Sequence, residues 1–192
     1  MRKSLTALLL ILSFMLAACS KDTLEESDNL ISDTYSLDSV KKGEFIVFED
    51  GDITSGQSLW EDFVKKTDKG ENASVSLAYY YTLREPSQYS EEYYKTVKDH
   101  YPMLFIKDLS YDGNKYTIEG VEDGQKLSKE YKFLMKYEGV PESTSALYSR
   151  YIYYVLVNDD TVTWKDIFNG MISSQSDAGI DHDMIYYEYI RN

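Results

Sequence analysis

The sequence predicts an α+β fold: an antiparallel β-sheet of meander type with two or three helices packed on one face. Two observations carry that expectation. Three strand-like runs, Leu104 to Tyr111, Lys115 to Val121 and Lys126 to Tyr137, follow one another closely. Only Asp112-Gly113-Asn114 and Glu122-Asp123-Gly124-Gln125 separate them, and both spacers have hairpin-turn chemistry. Segments with the apolar period of a helix flank this block, near residues 58–70 and 163–172.

The remaining elements follow from the same signals. Glu44-Phe45-Ile46-Val47-Phe48 reads as a first strand ended by the turn pair Asp50-Gly51. Ser58 with Glu61 has the spacing of a capping box, Leu59, Trp60, Phe63 and Val64 make one apolar helix face, and Gly70 is the expected stop. From Ser74 to Leu83, Val75, Leu77, Tyr79, Tyr81 and Leu83 alternate with smaller or polar residues, which predicts a strand. Ser90, followed by Glu91 and Glu92, starts a helix reaching Tyr101, since acids favour the first turn. Phe133, Met135 and Tyr137 share a face of the third meander strand. A Ser/Thr-rich loop then leads to an aromatic strand, Tyr148 to Val157. Thr163 and Asp166 form a second capping box, ahead of an apolar stripe of Trp164, Ile167, Phe168, Met171 and Ile172. Met184 to Ile190 is the last strand.

The charge balance excludes whole classes of function. Against 33 Asp+Glu the chain has 20 Lys+Arg, a net −13 and a pI near 4.5, so no nucleic-acid partner is expected, because phosphate tracking needs clustered cations. One Cys excludes a disulfide framework or a multi-Cys metal site, and two His leave little for a His-rich centre. With 15% aromatic residues there is ample core material.

Arg2 and Lys3 precede an apolar run from Leu5 to Leu16 and the small residues Ala17 and Ala18, the order of a secretory signal. The run is shorter than the ~20 residues of a spanning helix. Leu16-Ala17-Ala18-Cys19 resembles the lipobox of bacterial lipoproteins. The resemblance implies a diacylglycerol on the Cys19 thiol and cleavage after Ala18, leaving Cys19 as the first mature residue. Stable anchoring takes about two acyl chains, at ~0.8 kcal/mol per buried methylene. The expected address is the cell membrane, lipid-anchored on the extracytoplasmic side. Cleavage removes two cations and no acid, so the mature body is repelled by anionic surfaces and the lipid must hold it there. Residues 1–18 are thus the signal peptide, 19–43 an acidic flexible tether, and 44–192 a single globular domain.

Candidate chemistry is sparse. His182 lies between Asp181 and Asp183, with Asp177 and Ser173, Ser174 and Ser176 upstream, but there is no nucleophile-elbow pattern. Those three acids, or Asp50 with Asp52, offer oxygen ligands without EF-hand spacing, and a solvated turn explains both groups. His100 closes a helix, where a cationic imidazole suits the dipole. No metal and no cofactor is expected.

The clustered tyrosines carry more information. They come as Tyr79-Tyr80-Tyr81, Tyr93-Tyr94, Tyr151 with Tyr153-Tyr154, and Tyr186-Tyr187 with Tyr189. In the strand clusters neighbours point to opposite faces, so that Tyr151 and Tyr153 share a face and Tyr154 takes the other. Each buried hydroxyl needs a partner, so some of these rings belong at a rim. Half-exposed strand packing accounts for them, and so does an aromatic face for a glycan or partner protein. Tyr151 and Tyr153 are the contact candidates on the second reading.

With Cys19, the Tyr111-Asp112-Gly113 hairpin and the run from Val162 to Ser174 in hand, the chain resembles a group of small lipoproteins of low-GC Gram-positive bacteria whose extracellular domain is a domain of unknown function. The likeness implies a secreted, membrane-tethered single domain and supplies no activity, cofactor or catalytic residue. Two functions follow as expectations. The first is a non-catalytic surface lipoprotein binding an envelope protein, peptide or glycan. The alternative is an envelope hydrolase or metal-assisted enzyme centred on His182 and Asp177, Asp181 and Asp183, which requires those groups to converge in a pocket.

Overall fold

The computed structural model describes residues 35–122, 124–141, 143, 146–173 and 179–191. In chain order they form α1 (Leu37–Lys42), β1 (Phe45–Glu49), β2 (Asp52–Ser55), α2 (Gln57–Thr67), β3 (Ala73–Tyr81), α3 (Glu91–Val97), β4 (Met103–Tyr111), β5 (Tyr116–Glu122), β6 (Gln125–Tyr131), β7 (Phe133–Gly139), β8 (Arg150–Val157), α4 (Trp164–Ile172) and β9 (His182–Ile190). The strands make a six-stranded sheet, β2-β1-β3-β4-β5-β6, and a three-stranded sheet, β7-β8-β9. Every neighbouring pair is antiparallel except β1 and β3, which run parallel with β2 and α2 in the connection between them. This is the α+β class expected, with the meander at β4-β5-β6.

Burial arranges these elements in layers. Ile46, Phe48, Leu77, Leu109, Ile118 and Tyr131 on the inner face of the large sheet share one core with Leu156, Ile185 and Tyr186 of the small sheet. Trp60 and Phe63 of α2 complete that core, as the apolar face 59–64 predicts. On the outer face of the large sheet, Val47, Ala78 and Leu104 are covered by Val40 of α1. On the outer face of the small sheet, Tyr153, Val155 and Val157 pack with Ile167 of α4. The helices are therefore distributed over the layers.

Several local expectations change for identifiable reasons. The run 126–137 is two strands in different sheets, broken at Lys132. Tyr131 turns into the shared core while Phe133 faces the outer cluster, and strict two-residue alternation would have kept them on one side. α2 starts after Gly56, without a side-chain cap from Ser58. Gly56 has φ +79°, and a Cβ there would meet the Phe45 carbonyl oxygen at 2.3 Å, so close approach to β1 decides the start. Gly70 is the stop expected, with φ +74° and the Glu71 N–H donating to the Lys66 carbonyl at 3.0 Å. The stretch expected as tether up to residue 43 contains α1, capped reciprocally by Ser36 and Ser39 and held by fully buried Val40. The helix begun by Ser90 is α-helical only to Val97, followed by a tighter turn to His100.

Candidate functional site

The outer face of the small sheet gathers the tyrosines. Strand register places Tyr137, Tyr153 and Tyr187 side by side across β7-β8-β9, and Gly139, Tyr151 and Tyr189 in the next row. Gly139 matters here: a Cβ would fall 2.6 Å from the Tyr151 hydroxyl oxygen, so the missing side chain lets that ring lie across the neighbouring strand. Tyr151 stacks on Tyr153 at 4.6 Å between ring centroids, Tyr148 lies 4.4 Å from Tyr189, and Trp164 of α4 lies 4.3 Å from Tyr153.

The two contact candidates take different positions on this platform. Tyr153 is its buried centre, 5% exposed beneath Tyr151 and Trp164, and is corrected from a contact residue to a packing one. Burial, with the phenols of Tyr189 and Tyr148 within hydrogen-bond reach, pushes its ionisation far above the ordinary range. Tyr151 is half-buried at the rim. Tyr189, 42% exposed, is the ring most open to solvent in this row. Nothing in the alternation separated Tyr189 from Tyr153; only the position of α4 does.

α4 is short for the surface it crosses. Its capping box forms as expected, Thr163 Oγ1 accepting from the Asp166 N–H at 3.2 Å and the Asp166 carboxylate accepting from the Thr163 N–H at 2.9 Å. Of the predicted stripe, however, Ile167 alone is buried; Phe168, Met171 and Ile172 are 45%, 49% and 66% exposed. The apolar stripe is wider than the sheet area it meets, and Phe168 continues the aromatic platform through Trp164, 6.4 Å away.

A second concavity of about 450 Å³ opens between α2 and the inner edge of the small sheet. Trp60, Tyr154 and Tyr186 line it, with Lys65, Lys136 and Glu188 also at its wall. Its volume lies within the ~300–1,000 Å³ of ordinary ligand clefts.

Among the described residues, His182 and its flanking acids do not converge on one another. His182 Nδ1 is 2.7 Å from the Ile180 carbonyl oxygen, a local contact that fixes the ring. Asp181 and Asp183 turn instead to Tyr131, whose hydroxyl donates to Asp183 Oδ2 at 2.8 Å and Asp181 Oδ1 at 3.3 Å; Lys129 pairs with Asp183 at 3.4 Å. Successive residues leave a strand on opposite faces, which is why sequence adjacency did not become a cluster. Among the described residues no three of His, Cys, Asp and Glu gather in a way that could hold a metal ion. Asp177, Ala18 and Cys19 lie outside the described residues. No helix among the described residues is long and apolar enough to cross a membrane. No family model, curated protein or solved structure matches the chain.

Proposed function

We infer that the protein is a lipid-anchored cell-surface lipoprotein whose domain binds an envelope protein, peptide or glycan on the aromatic outer face of the β7-β8-β9 sheet. The observation that supports this is the cluster of Tyr151 and Tyr189, with Tyr148 packed on Tyr189, beside α4 and its open Phe168 edge. Tyr suits the task because its ring offers a flat apolar face and its hydroxyl a directed hydrogen bond at low conformational cost. The anchor rests on Cys19 at the end of its apolar leader. An acidic body tethered this way meets neutral or cationic envelope components more readily than anionic ones.

The test uses the full mature protein on two columns, purified wall glycan and detergent-extracted membrane protein. Retention on one of them, weakened about tenfold by Tyr189→Ala and unchanged by Tyr93→Ala on α3, is the expected result. Equal retention of wild type and Tyr189→Ala, or none on either column, overturns the reading. Mass spectrometry of the membrane-extracted protein should find Cys19 as the N-terminus with a diacylglyceryl thioether; a free thiol there removes the anchor.

A further inference from the structure

A smaller cavity, of about 180 Å³, lies where the β1–β2 turn and the end of β3 meet the middle of β9. Its walls are mainly aromatic: Phe48, Tyr79, Tyr81, Tyr186 and Tyr187, with Met184. Within this wall Phe48 and Tyr79 stack on each other, 4.8 Å apart and nearly parallel, and Tyr186 adjoins Phe48 at 5.6 Å. Tyr81, on the exposed end of β3, and half-buried Tyr187 stand at the opening. Gly51, at φ +101°, forms part of the wall, and a Cβ there would be 2.1 Å from the Tyr187 hydroxyl oxygen.

The polar atoms of the walls are nearly all used. Tyr79 donates to the Ile185 carbonyl at 2.9 Å, Tyr186 to Glu188 at 3.2 Å and Tyr187 to the Asp50 carbonyl at 3.4 Å. These bonds tie the hydroxyls back to the protein, and the surface left to a guest is mainly apolar ring, which suits methyl groups better than the three N–H groups of a primary ammonium. Apolar contact alone would suit the rings, but negative charge stands beside them. The Asp50 carboxylate is fixed by the Thr82 N–H at 2.8 Å and the Thr82 hydroxyl at 2.5 Å, and its charge reaches Tyr81 and Tyr187. The Asp52 charge reaches Tyr186 and Tyr187; against these two stands Arg84, whose charge also reaches Tyr187. The faces of aromatic rings attract cations, and several rings around one opening make a cage for an ammonium that carries methyl groups in place of N–H.

We propose that this cavity binds a compact quaternary ammonium group, held against the aromatic walls of Tyr81, Tyr187, Phe48 and Tyr79 beside the Asp50 carboxylate. The volume, below the ~300 Å³ of drug-sized sites, limits the guest to a headgroup such as trimethylammonium. The cavity shares Tyr187 with the tyrosine platform but opens beside the β1–β2 turn, and the proposal stands whether or not that face binds anything.

The experiment is a calorimetric titration of the mature protein with choline, and in parallel with neohexanol, its uncharged isostere with carbon in place of nitrogen. Choline is expected to bind saturably in the millimolar range, and neohexanol about tenfold or more weakly, since the cation–ring attraction is lost. Tyr81→Leu should weaken choline about tenfold, whereas Tyr81→Phe, which keeps the ring, should bind like the wild type. Tyr81 is partly exposed, so both variants should keep the wild-type circular dichroism spectrum. Absence of choline binding, neohexanol binding as tightly as choline, or an unaltered Tyr81→Leu variant each overturns the proposal. A second arm offers phosphatidylcholine vesicles to wild type and Tyr81→Leu. Capture that Tyr81→Leu weakens assigns the group to a lipid headgroup. Equal capture by both, as the lipid on Cys19 alone would give, together with binding of free choline assigns it to a solute.

Discussion

Trp60→Ala tests the claim that the two sheets share a single core. Trp60 is 2% exposed and meets Phe63 of its own helix at 5.9 Å, Tyr154 of β8 at 5.0 Å edge-on, and Tyr186 of β9 at 6.1 Å. One side chain thus joins α2 to the central strand β8 and the edge strand β9 of the small sheet. A buried Trp removes about 150–250 Å² from water. At ~25 cal/mol per Å² that is roughly 4–6 kcal/mol, and truncation of buried aromatics to Ala costs about 3–5 kcal/mol. The neighbouring groove lets water reach part of the vacated space, so the low end, about 3 kcal/mol, is expected. For a domain of roughly 150 residues this lowers Tm by about 6–12 °C. Trp164→Ala is the control, because Trp164 is half-buried at the outer face and should cost about 1–2 kcal/mol. Urea unfolding followed by far-ultraviolet circular dichroism gives both values with the m-value as a check on cooperativity. A loss below about 1 kcal/mol for Trp60→Ala, or two separate transitions in the wild type, would refute a common core.

Two further outcomes follow from titrating groups. Burial raises the phenols of Tyr79, Tyr131, Tyr153 and Tyr186 well above the ordinary value of 10.0. Unfolded tyrosines ionise near that value while these stay neutral, so the stability they contribute is complete below pH about 10 and falls as pH rises above it. Tyrosinate absorbance should therefore rise together with loss of circular dichroism; tyrosinate forming in the intact fold contradicts the burial. At the other end, hydrogen bonds from the Thr163 hydroxyl and N–H hold the Asp166 carboxyl below its ordinary value. That contribution is present above the ordinary carboxylate range and is lost as pH falls through the lowered value. Thr163→Ala should return the Asp166 titration toward normal by NMR and destabilise the fold by about 1 kcal/mol.

Local chemistry made most of the fold legible, and long-range geometry hid the rest. Asp50-Gly51, Thr163 with Asp166, and Gly70 punctuate the chain as their side chains and backbone freedom require. The parallel pairing of β1 with β3 was not visible, because strand runs carry no partner label. Nor was the break at Lys132, where no Gly or Pro marks the change of sheet. For the site, the alternation of Tyr151 and Tyr153 identified the correct face, but burial under α4 separates them, and that depends on where a helix ten residues downstream lands. The cavity walls come from β1, β3 and β9, and no local pattern joins Phe48, Tyr81 and Tyr187.

The abundance of tyrosine has a structural logic that also explains why open rings remain. A hydroxyl at the end of a long flat ring can cross a layer and reach a polar atom on the other side. Tyr79 of the large sheet donates to the backbone of β9, Tyr131 of the same sheet to Asp183 on β9, and Tyr137 of β7 to the Val162 carbonyl ahead of α4. Each of these rings buries apolar area as a core residue does and then satisfies its hydroxyl between layers, which avoids the ~1–3 kcal/mol cost of an orphaned buried donor. Phe in the same places would fill the volume and leave the layers without a directional tie. Tyr189 differs in kind: at 42% exposed, its ring is open to solvent where those of Tyr79 and Tyr131 are spent between layers. If Tyr189 were only packing, Tyr189→Phe and Tyr189→Ser should differ in stability and agree in ligand retention. The platform reading requires Tyr189→Ser to lose retention on a scale its stability change does not explain, while Tyr189→Phe keeps most of it.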